Sequence, residues 1–406
     1  MVPALLLIVM LGIPKVGTWS IVTDQSEPSL LVGASYMTFW GTGMNGYDWP
    51  SEATVYQPSQ GNYSSGDPNT ASQQIEAATN HSISLFLLDY GWANDQQQKL
   101  MDNAALKGII NASEGAEATK NFSFCIFYFP NNRESPSTIN ETGLVEDFLR
   151  INETYFDHSS YLRLDNRYVV ILADFYYYLN ASFITYQGAT ENSSYSAVND
   201  LFHGLKVNYS LYLVPAFWPD YMANATAVLD DARTHWPGLY DAITLWGDNT
   251  FLDINESTTY SKYVSKTENY FGEWNATAAS YGVDFVPFIC PGYTRAINSV
   301  YYDMSSEKWW AIVTRDDTAN LTLWNEVWES AQEYANSSNN THHMVLIFTW
   351  NDFNEGTSIE PTKEYGSAYL DVIPEFSSAI SLPLFIAATL LAATLYKKEH
   401  SKQRAH

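Results

Sequence analysis

Short apolar runs recur along the chain and are separated by longer polar or amphipathic segments. The runs are rich in β-branched and aromatic residues, a composition typical of buried strands. Several intervening segments repeat apolar residues at helical spacing, and one begins with Asp67-Pro68, a common helix start. The predicted strands are Leu31–Phe39, Ile83–Leu88, Phe122–Phe129, Tyr168–Ala173, Leu211–Pro215, Ala242–Leu245, Asp284–Ile289 and Met344–Phe348. The predicted helices include Asp67–Thr79, Gly143–Ile151, Ser261–Tyr281 and Leu321–Ala335.

The order of these elements predicts an α/β fold. Near-continuous apolar strands that alternate with helices indicate a parallel sheet covered on both faces. Eight strands within residues 31–372 fit a (β/α)8 TIM barrel with long βα loops. A doubly wound open sheet is the alternative, but no glycine-rich phosphate turn follows the early strands. We therefore predict a barrel.

Two carboxylates follow the last predicted strand. Asp352 and Glu355 are three positions apart, so in a turn or a helix start their side chains share one face, with β-carbons roughly 5–6 Å apart. Such a pair suits acid/base chemistry on an acetal, because one carboxyl group can stay ionised while the other holds its proton. Acids at this spacing also cap helices, so the spacing alone leaves both roles open.

Aromatic residues follow most of the predicted strands. In a TIM barrel the active site lies at the carboxyl ends of the strands, so these rings would collect at one rim. Sugar rings stack on aromatic faces, and their hydroxyls bind amides and carboxylates. Together with Asp352 and Glu355, the rim predicts a carbohydrate cleft. The predicted substrate-binding residues are Trp40, Trp92, Trp246, Tyr293, Trp350 and Asn351.

Composition excludes several other functions. The formal net charge of −25 argues against a nucleic-acid partner, which would require basic patches. Two cysteines cannot build a disulfide framework. The eight histidines lack metal-ligand spacing, and no Gly-x-Ser-x-Gly elbow occurs. We expect no metal and no cofactor.

The two ends of the chain predict a membrane-anchored surface protein. Residues 1–20 contain an apolar run that reads as a signal peptide or N-terminal hydrophobic segment. After a short linker, 373–379, an uncharged apolar segment at 380–396 predicts a transmembrane anchor. The basic tail 397–406 follows the positive-inside rule and would be cytoplasmic, which places the large domain outside the cell.

Fifteen Asn-x-Ser/Thr sequons support an exterior location. A single sequon is weak evidence, but this density predicts an N-glycosylated surface. The sequons begin at Asn62, Asn80, Asn111, Asn121, Asn140, Asn152, Asn180, Asn192, Asn208, Asn224, Asn255, Asn275, Asn320, Asn336 and Asn339.

The segment from Asn351 to Glu360 resembles a motif of glycoside hydrolase family 99, the endo-α-mannosidase group, in which the sequence is Asn-Glu-Trp-His-Glu-Gly-Thr-Gln-Ile-Glu. The resemblance extends over Leu31 to Val372. It includes Asn62 to Pro68, the Phe285-Val286-Pro287 strand that leads to Pro291-Gly292-Tyr293, and the Tyr161-Leu162-Arg163 turn. It implies a (β/α)8 barrel that hydrolyses α-mannosides internally with retention of configuration. By resemblance, Asp352 is the base that deprotonates the sugar 2-hydroxyl, and Glu355 is the general acid/base.

Two departures from this motif keep other functions open. Asp352 stands where the mannosidases have glutamate, and Asn354 stands where they have histidine. The Trp-Asn-Asp-aromatic-x-Glu pattern also resembles glycoside hydrolase family 71, the α-1,3-glucanases, where Asp and Glu hold the catalytic places. The alternatives are therefore a glucanase, a non-catalytic glycan-binding surface protein, or a structural surface-layer component. The C-terminal segment from Ile373 onward resembles archaeal surface-anchor signals.

Overall fold

The computed structural model describes residues 7–8, 21–22, 30–43, 49, 54–91, 93–115, 122–129, 141–173, 191–219, 222–245, 259–293, 315–316 and 318–373. Within these residues all eight predicted strands occur, with bounds that differ from the predictions by a few residues at most. The strands are β1 Leu31–Tyr36, β2 Ile83–Tyr90, β3 Ser123–Tyr128, β4 Arg167–Leu172, β5 Leu211–Phe217, β6 Ala242–Leu245, β7 Asp284–Val286 with Phe288–Ile289, and β8 Met344–Ile347.

The eight strands form a barrel of parallel pairs. Each strand pairs with its neighbour in the chain, and β8 pairs with β1. Strand β7 closes the circuit in two segments, because Asp284–Val286 pairs with β6 and Phe288–Ile289 pairs with β8. Pro287, between these segments, accepts a 2.8 Å hydrogen bond from the backbone N–H of Leu346. The pairing of first and last strands excludes the open doubly wound sheet and confirms the predicted barrel architecture.

Helices occupy the connections between the strands. Asp67 caps the first helix by accepting a hydrogen bond from the backbone N–H of Asn69, which confirms the predicted start at Asp67-Pro68. The helices are α1 Pro68–Asn80, α2 Asp95–Ala105, α3 Asn111–Glu114, α4 Glu141–Ile151, α5 Glu191–Tyr209, α6 Met222–His235, α7 Tyr260–Tyr281, α8 Thr322–Ala335 and α9 Ala368–Asp371. Shorter elements are π-helical turns at Leu106–Ile110 and Asn152–Phe156, a 3-10 turn at Ala319–Leu321, and a two-residue strand, Arg163–Leu164, antiparallel to β4.

Apolar side chains pack against one another inside the barrel. Gly33 on β1 leaves room for its neighbours, because a β-carbon there would lie 2.8 Å from Leu85 and 2.9 Å from Leu87. The rings of Phe127 and Phe288 lie 5.9 Å apart in the same core. These contacts form a packed floor below the carboxyl ends of the strands, where a barrel active site lies.

The amino ends of the strands carry a separate network of charged residues. Asp241 forms ion pairs with Arg167 and Lys206. Asp284 accepts backbone N–H groups of Thr341 at 2.7 Å and His342 at 2.8 Å. These acids are held in ion pairs or accept hydrogen bonds from backbone N–H groups near the strand starts, and they therefore stabilise this end of the barrel.

The predicted terminal segments lie largely outside the described residues. Residues 373–406, including the predicted anchor, are described only at Ile373, and the N-terminal segment only at Leu7–Ile8, which pairs antiparallel with Ile21–Val22. In the part of the chain that the structure describes, no helix is long and apolar enough to cross a membrane.

Candidate active site

The segment after β8 forms a closed loop at the carboxyl end of the barrel. The backbone N–H of Thr349 donates to the carbonyl of Thr357 at 3.0 Å, and the two hydroxyls are 2.9 Å apart. The backbone N–H of Trp350 donates to the carbonyl of Ser35 on β1 at 2.6 Å. These bonds fix the base of the loop and attach it to the neighbouring strand. The residues between Trp350 and Thr357 are therefore held on a rigid support.

Asp352 and Glu355, the predicted catalytic pair, lie on one turn of this loop. Oδ1 of Asp352 accepts the backbone N–H groups of Asn354 at 2.9 Å and of Glu355 at 3.0 Å. Asp352 is only 7% exposed, whereas Glu355 is half-buried. Backbone N–H donors stabilise a negative charge on the oxygen that accepts them, so the turn favours an ionised Asp352. The capping role that the spacing left open is thus realised at a turn, and it is compatible with a role as a base.

A third acid, Asp89, was not among the predicted site residues. It lies at the carboxyl end of β2, and its Oδ1 accepts a 3.0 Å hydrogen bond from the hydroxyl of Ser35. Burial raises the pKa of Asp89 well above its usual value, against the lowering effect of the Ser35 bond, and the negative charges of Asp352 and Glu355 raise it further. The three carboxyl groups therefore share one electrostatic environment. The sequence signal that could have identified Asp89 is its position directly after the predicted strand Ile83–Leu88.

Asn351 anchors the loop to the end of β1 and to the segment that precedes α1. Its Oδ1 accepts the backbone N–H of Met37 at 2.7 Å, and its Nδ2 donates to the carbonyl of Met37 and to the hydroxyl of Tyr63. Its own carbonyl accepts the indole N–H of Trp40 at 2.9 Å. The side chain is completely buried. Its observed contacts support the loop, and its predicted contact with substrate remains a prediction.

Glu360 is a buried acid beneath the same loop. Its Oε2 accepts hydrogen bonds from the hydroxyl of Tyr63 at 2.7 Å and from Nε2 of Gln74 at 3.2 Å. Gln74 in turn accepts the hydroxyl of Tyr36 at 2.7 Å. Burial raises the pKa of Glu360 to about 8, although the two hydrogen bonds favour its ionised form. At neutral pH a large fraction of Glu360 is therefore protonated.

The aromatic residues predicted to bind substrate are mostly internal. Trp40, Tyr293 and Trp350 are almost completely buried, and Trp350 packs 5.1 Å from the ring of Phe86 on β2. Trp92 and Trp246 lie outside the described residues. The substrate-binding role of these five side chains remains a prediction, although the burial of Trp40, Tyr293 and Trp350 favours packing.

Trp49, which was not among the predicted site residues, also lies near the acidic loop. It is only half-buried and stacks on Trp40, with ring centroids 4.3 Å apart. Its indole N–H donates to the carbonyl of Tyr63 at 2.6 Å. Trp40 in turn contacts Phe353 on the loop that carries the two acids, with centroids 6.0 Å apart. Trp49 itself lies 6.0 Å from the ring of Phe353, so it is a partly open aromatic surface in direct contact with the loop that carries the two acids.

The site has the composition of an acid/base centre. Its acids come from β2 and from the loop after β8, and a serine from β1 supports one of them. Over the described ranges, no group of three His, Cys, Asp or Glu side chains could hold a metal ion. Carboxyl groups in a common, poorly solvated environment cannot all be ionised at once, so such a site can both donate and accept protons.

Comparisons with known proteins find one family model and several solved structures that are similar to this chain. Residues 217–373, which include the acidic turn, match a family model described as "Glycosyltransferase WbsX". No curated protein matches the chain. A solved "Glycoside hydrolase-like protein" is 18% identical with a TM-score of 0.60, covering 87% of this chain and 95% of its own.

The GH99 endo-α-mannosidase from Bacteroides thetaiotaomicron is also similar in structure. It aligns with a TM-score of 0.52 and 14% identity, over 85% of this chain and 96% of its own. The same enzyme in complex with bis-tris-propane aligns with a TM-score of 0.51 and 15% identity over the same shares. The likeness to family 99 that the motif indicated is therefore confirmed at the level of the fold.

Proposed function

We propose that this protein is an endo-acting glycoside hydrolase that cleaves α-mannosidic linkages, with Asp352 as the base and Glu355 as the general acid/base. The observation that carries the proposal is the acidic turn, where two backbone N–H groups stabilise charge on Asp352 beside Glu355, at the carboxyl end of a family 99-like barrel. The alignment of the motif with the family's catalytic carboxylates supports the same assignment.

The reaction follows from the two roles. Asp352 removes the proton of the sugar 2-hydroxyl, and O2 attacks the anomeric carbon as the bond to the leaving sugar breaks. Glu355 donates its proton to the departing oxygen. In the second step Glu355 takes a proton from water and the water oxygen attacks the anomeric carbon. The bond between that carbon and O2 breaks, and O2 regains its proton from Asp352. Two displacements at one carbon give retention of configuration.

This mechanism has a stereochemical requirement that bears on the substrate. O2 must approach the anomeric carbon from the face opposite the leaving oxygen, because displacement is in line. In an α-mannoside O2 and the glycosidic oxygen are trans, whereas in an α-glucoside they are cis. An α-glucan therefore cannot react by this route, and the α-1,3-glucanase alternative would require a different attacking group.

A product assay tests the proposal. The purified protein would be incubated with a panel of α-mannans and with α-1,3-glucan, and the anomeric form of each product followed by NMR. We expect α-configured products from mannan, abolished by Glu355→Gln and Asp352→Asn but not by Glu329→Gln, an exposed acid on α8. Inverted products, or cleavage of glucan alone, would favour the glucanase. Binding without hydrolysis would favour a glycan-binding protein.

Glycosyl transfer is a second candidate function, because the matched family model is described as a glycosyltransferase. With a mannan as the donor, the chemistry differs only in the acceptor: a sugar hydroxyl replaces water in the second step and loses its proton to Glu355. Adding unlabelled mannosides as acceptors to the same assay would test it. Longer oligosaccharides formed at the expense of hydrolysis products would identify a transferase.

We also propose that the protein is a cell-surface, N-glycosylated membrane protein whose catalytic domain is extracellular. The apolar segment 380–396 with its basic tail supports the anchor, and several sequon asparagines are exposed at the surface. Cell fractionation and mass spectrometry of glycopeptides would test both parts. The exposed sequon asparagines are Asn62, Asn80, Asn111, Asn208, Asn320, Asn336 and Asn339.

A further inference from the structure

Asp89 is the acid of the candidate site that the proposed mechanism does not use. It lies at the end of β2, and the hydroxyl of Ser35 from β1 is the one hydrogen-bond partner of its side chain among the described residues. The backbone carbonyl of Ser35 also accepts the N–H of Trp350, two residues before Asp352. One residue of β1 thus links Asp89 to the acidic loop through a side-chain bond on one side and a backbone bond on the other.

The hydrogen bond from Ser35 distinguishes the two carboxyl oxygens of Asp89. The Ser35 hydroxyl donates to Oδ1, so Oδ1 acts as the acceptor. In a protonated carboxyl group the other oxygen then carries the proton and becomes a donor. Asp89 is 5% exposed, which leaves it at the edge of the buried region rather than sealed within the core. Oδ2 is therefore the atom of Asp89 available to a bound molecule.

The charges around Asp89 oppose its ionisation. Asp352 and Glu355 act on it from the loop after β8, and its contact on β1 is the neutral Ser35. On β3 the residue in register with Asp89 is Phe127, which is apolar. The pKa of Asp89 is correspondingly raised by burial and by the two acids. A neutral Asp89 leaves Asp352 free to hold the negative charge that a base requires.

We propose that Asp89 works as a protonated carboxylic acid in the active site, donating a hydrogen bond from Oδ2 to a hydroxyl group of the sugar that is cleaved. The inference rests on the proposed hydrolase function and assigns a third residue to it. Ser35 is the positioning residue for this contact, because its hydroxyl holds Oδ1 and so directs the proton to Oδ2.

Substitutions that retain or remove the donor test the proposal. In Asp89→Asn the amide keeps an oxygen for Ser35 and an N–H donor in place of the O–H. We expect kcat/KM on mannan to stay within about threefold of wild type in Asp89→Asn and to fall at least about tenfold in Asp89→Ala. Thermal unfolding of each variant would be measured alongside. Equal losses in both variants, accompanied by equal falls in Tm, would overturn the proposal in favour of a structural role.

The pH profile distinguishes a protonated from an ionised Asp89. If Asp89 is neutral in the working range, Asp89→Asn removes no charge, and the acid limb of the profile stays where it is in wild type. If Asp89 is ionised, its replacement removes a negative charge near Asp352 and Glu355. Both limbs would then move to lower pH, because each remaining acid would ionise more easily. A downward shift of both limbs would overturn the proposal.

A spectroscopic measurement separates this inference from the proposed reaction. Infrared difference spectra of wild type against Asp89→Asn at neutral pH should show the carbonyl stretch of a protonated carboxylic acid, lost in the variant. Asp371→Asn, which changes an exposed carboxylate on α9, is the control and should leave that band intact. Absence of an Asp89 band would overturn the inference even in an active enzyme.

Binding provides the readout if no substrate is hydrolysed. In a Glu355→Gln background, calorimetry with a mannan oligosaccharide should show affinity retained in Asp89→Asn and at least about tenfold weaker in Asp89→Ala. If this result is obtained and the protein with Glu355 intact hydrolyses no substrate, the proposed reaction has failed while the role of Asp89 stands. Equal affinity whether residue 89 is Asp, Asn or Ala, or no binding when it is Asp, would overturn the donor role.

Discussion

The hydroxyl of Tyr63 donates a 2.7 Å hydrogen bond to Oε2 of Glu360, and both side chains are buried beneath the acidic loop. The same hydroxyl accepts a hydrogen bond from Asn351, the residue immediately before Asp352. Tyr63 therefore connects a buried acid, whose pKa burial raises to about 8, with the chain segment that carries the proposed base. This connection leads to predictions about both stability and activity.

Glu360 should make the free energy of unfolding depend on pH. Its pKa is raised from 4.5 in the unfolded chain to about 8 in the fold, so the folded state binds an extra proton between these values. Stability from this group is fully present below pH 4.5 and is lost as pH rises towards 8, by on the order of 1 kcal/mol per pH unit. Denaturant unfolding at pH 5, 6, 7 and 8 would measure this slope.

Glu360→Gln provides the comparison for that slope. The amide has the size of the protonated acid and does not titrate, so the variant should lose this part of the pH dependence and gain stability over wild type towards pH 8. Parallel curves for the two proteins would show that Glu360 does not carry the effect. Glu329→Gln, at an exposed position on α8, should leave the wild-type slope unchanged.

Tyr63→Phe should weaken both the fold and the reaction. It removes the donor to Glu360 and the acceptor for Asn351, and leaving buried polar groups unpaired costs about 1–3 kcal/mol. We expect a lower Tm and a lower kcat, since the segment before Asp352 loses a support. Tyr281→Phe, whose half-buried hydroxyl donates to the exposed Asp230, is the matched control and should change neither by much. A kcat equal to wild type in Tyr63→Phe would contradict the supporting role.

Leaving-group chemistry should separate the roles of the two acids. Fluoride departs without protonation, so in the first turnover Glu355→Ala should cleave an α-mannosyl fluoride far faster, relative to wild type, than it cleaves mannan; later turnovers still need Glu355 as the base on water. Asp352→Asn should be impaired by on the order of 10²-fold or more on both substrates, because the 2-hydroxyl must still be deprotonated. An ion-selective electrode that follows the release of fluoride would measure these rates. Equal impairment of Glu355→Ala on both substrates would argue against its role as the acid.

Trp49 and Trp40 should respond differently to substitution, although their rings are stacked. Trp49 is partly open, so Trp49→Ala should weaken binding of mannan oligosaccharides by about 0.5–1.5 kcal/mol, the range for a ring contact. Trp40 is buried and donates to the carbonyl of Asn351, so Trp40→Phe should chiefly lower Tm. Calorimetric titration and thermal unfolding of both variants would measure these effects. An unchanged affinity in Trp49→Ala would remove Trp49 from the substrate surface.

Gly91 should tolerate no side chain. Its φ is +99°, and a β-carbon there would lie 2.4 Å from the carbonyl oxygen of Phe129. Gly91→Ala should therefore cost about 2 kcal/mol or more and should disturb the end of β2, where Asp89 lies. Gly238→Ala has a similar φ of +78° but no atom within 4 Å, so it isolates the backbone cost of about 1 kcal/mol. Equal losses in the two variants would show that the contact with Phe129 relaxes easily.

The barrel could be predicted from the sequence because its signal is local. Each strand is a compact apolar run, and each predicted helix carries its own spacing or start, as at Asp67-Pro68. The acidic turn was also visible, since Asp352 and Glu355 are neighbours in the sequence. The aromatic residues were a different case: a tryptophan after a strand, such as Trp350, can point into the cleft or into the packed layer, and the sequence pattern is the same.

The sequence by itself determined the order of strands and helices, the eightfold count and the two acids of the motif. Only the tertiary structure decided that Asp89 shares their electrostatic environment, that Ser35 holds it, and that Glu360 is buried beneath the loop. The physical reason is that hydrophobic periodicity acts over a few residues, whereas burial and Coulomb interactions depend on distance in space. Asp89 and Asp352 are far apart along the chain, and only the closure of β8 onto β1 brings their surroundings together.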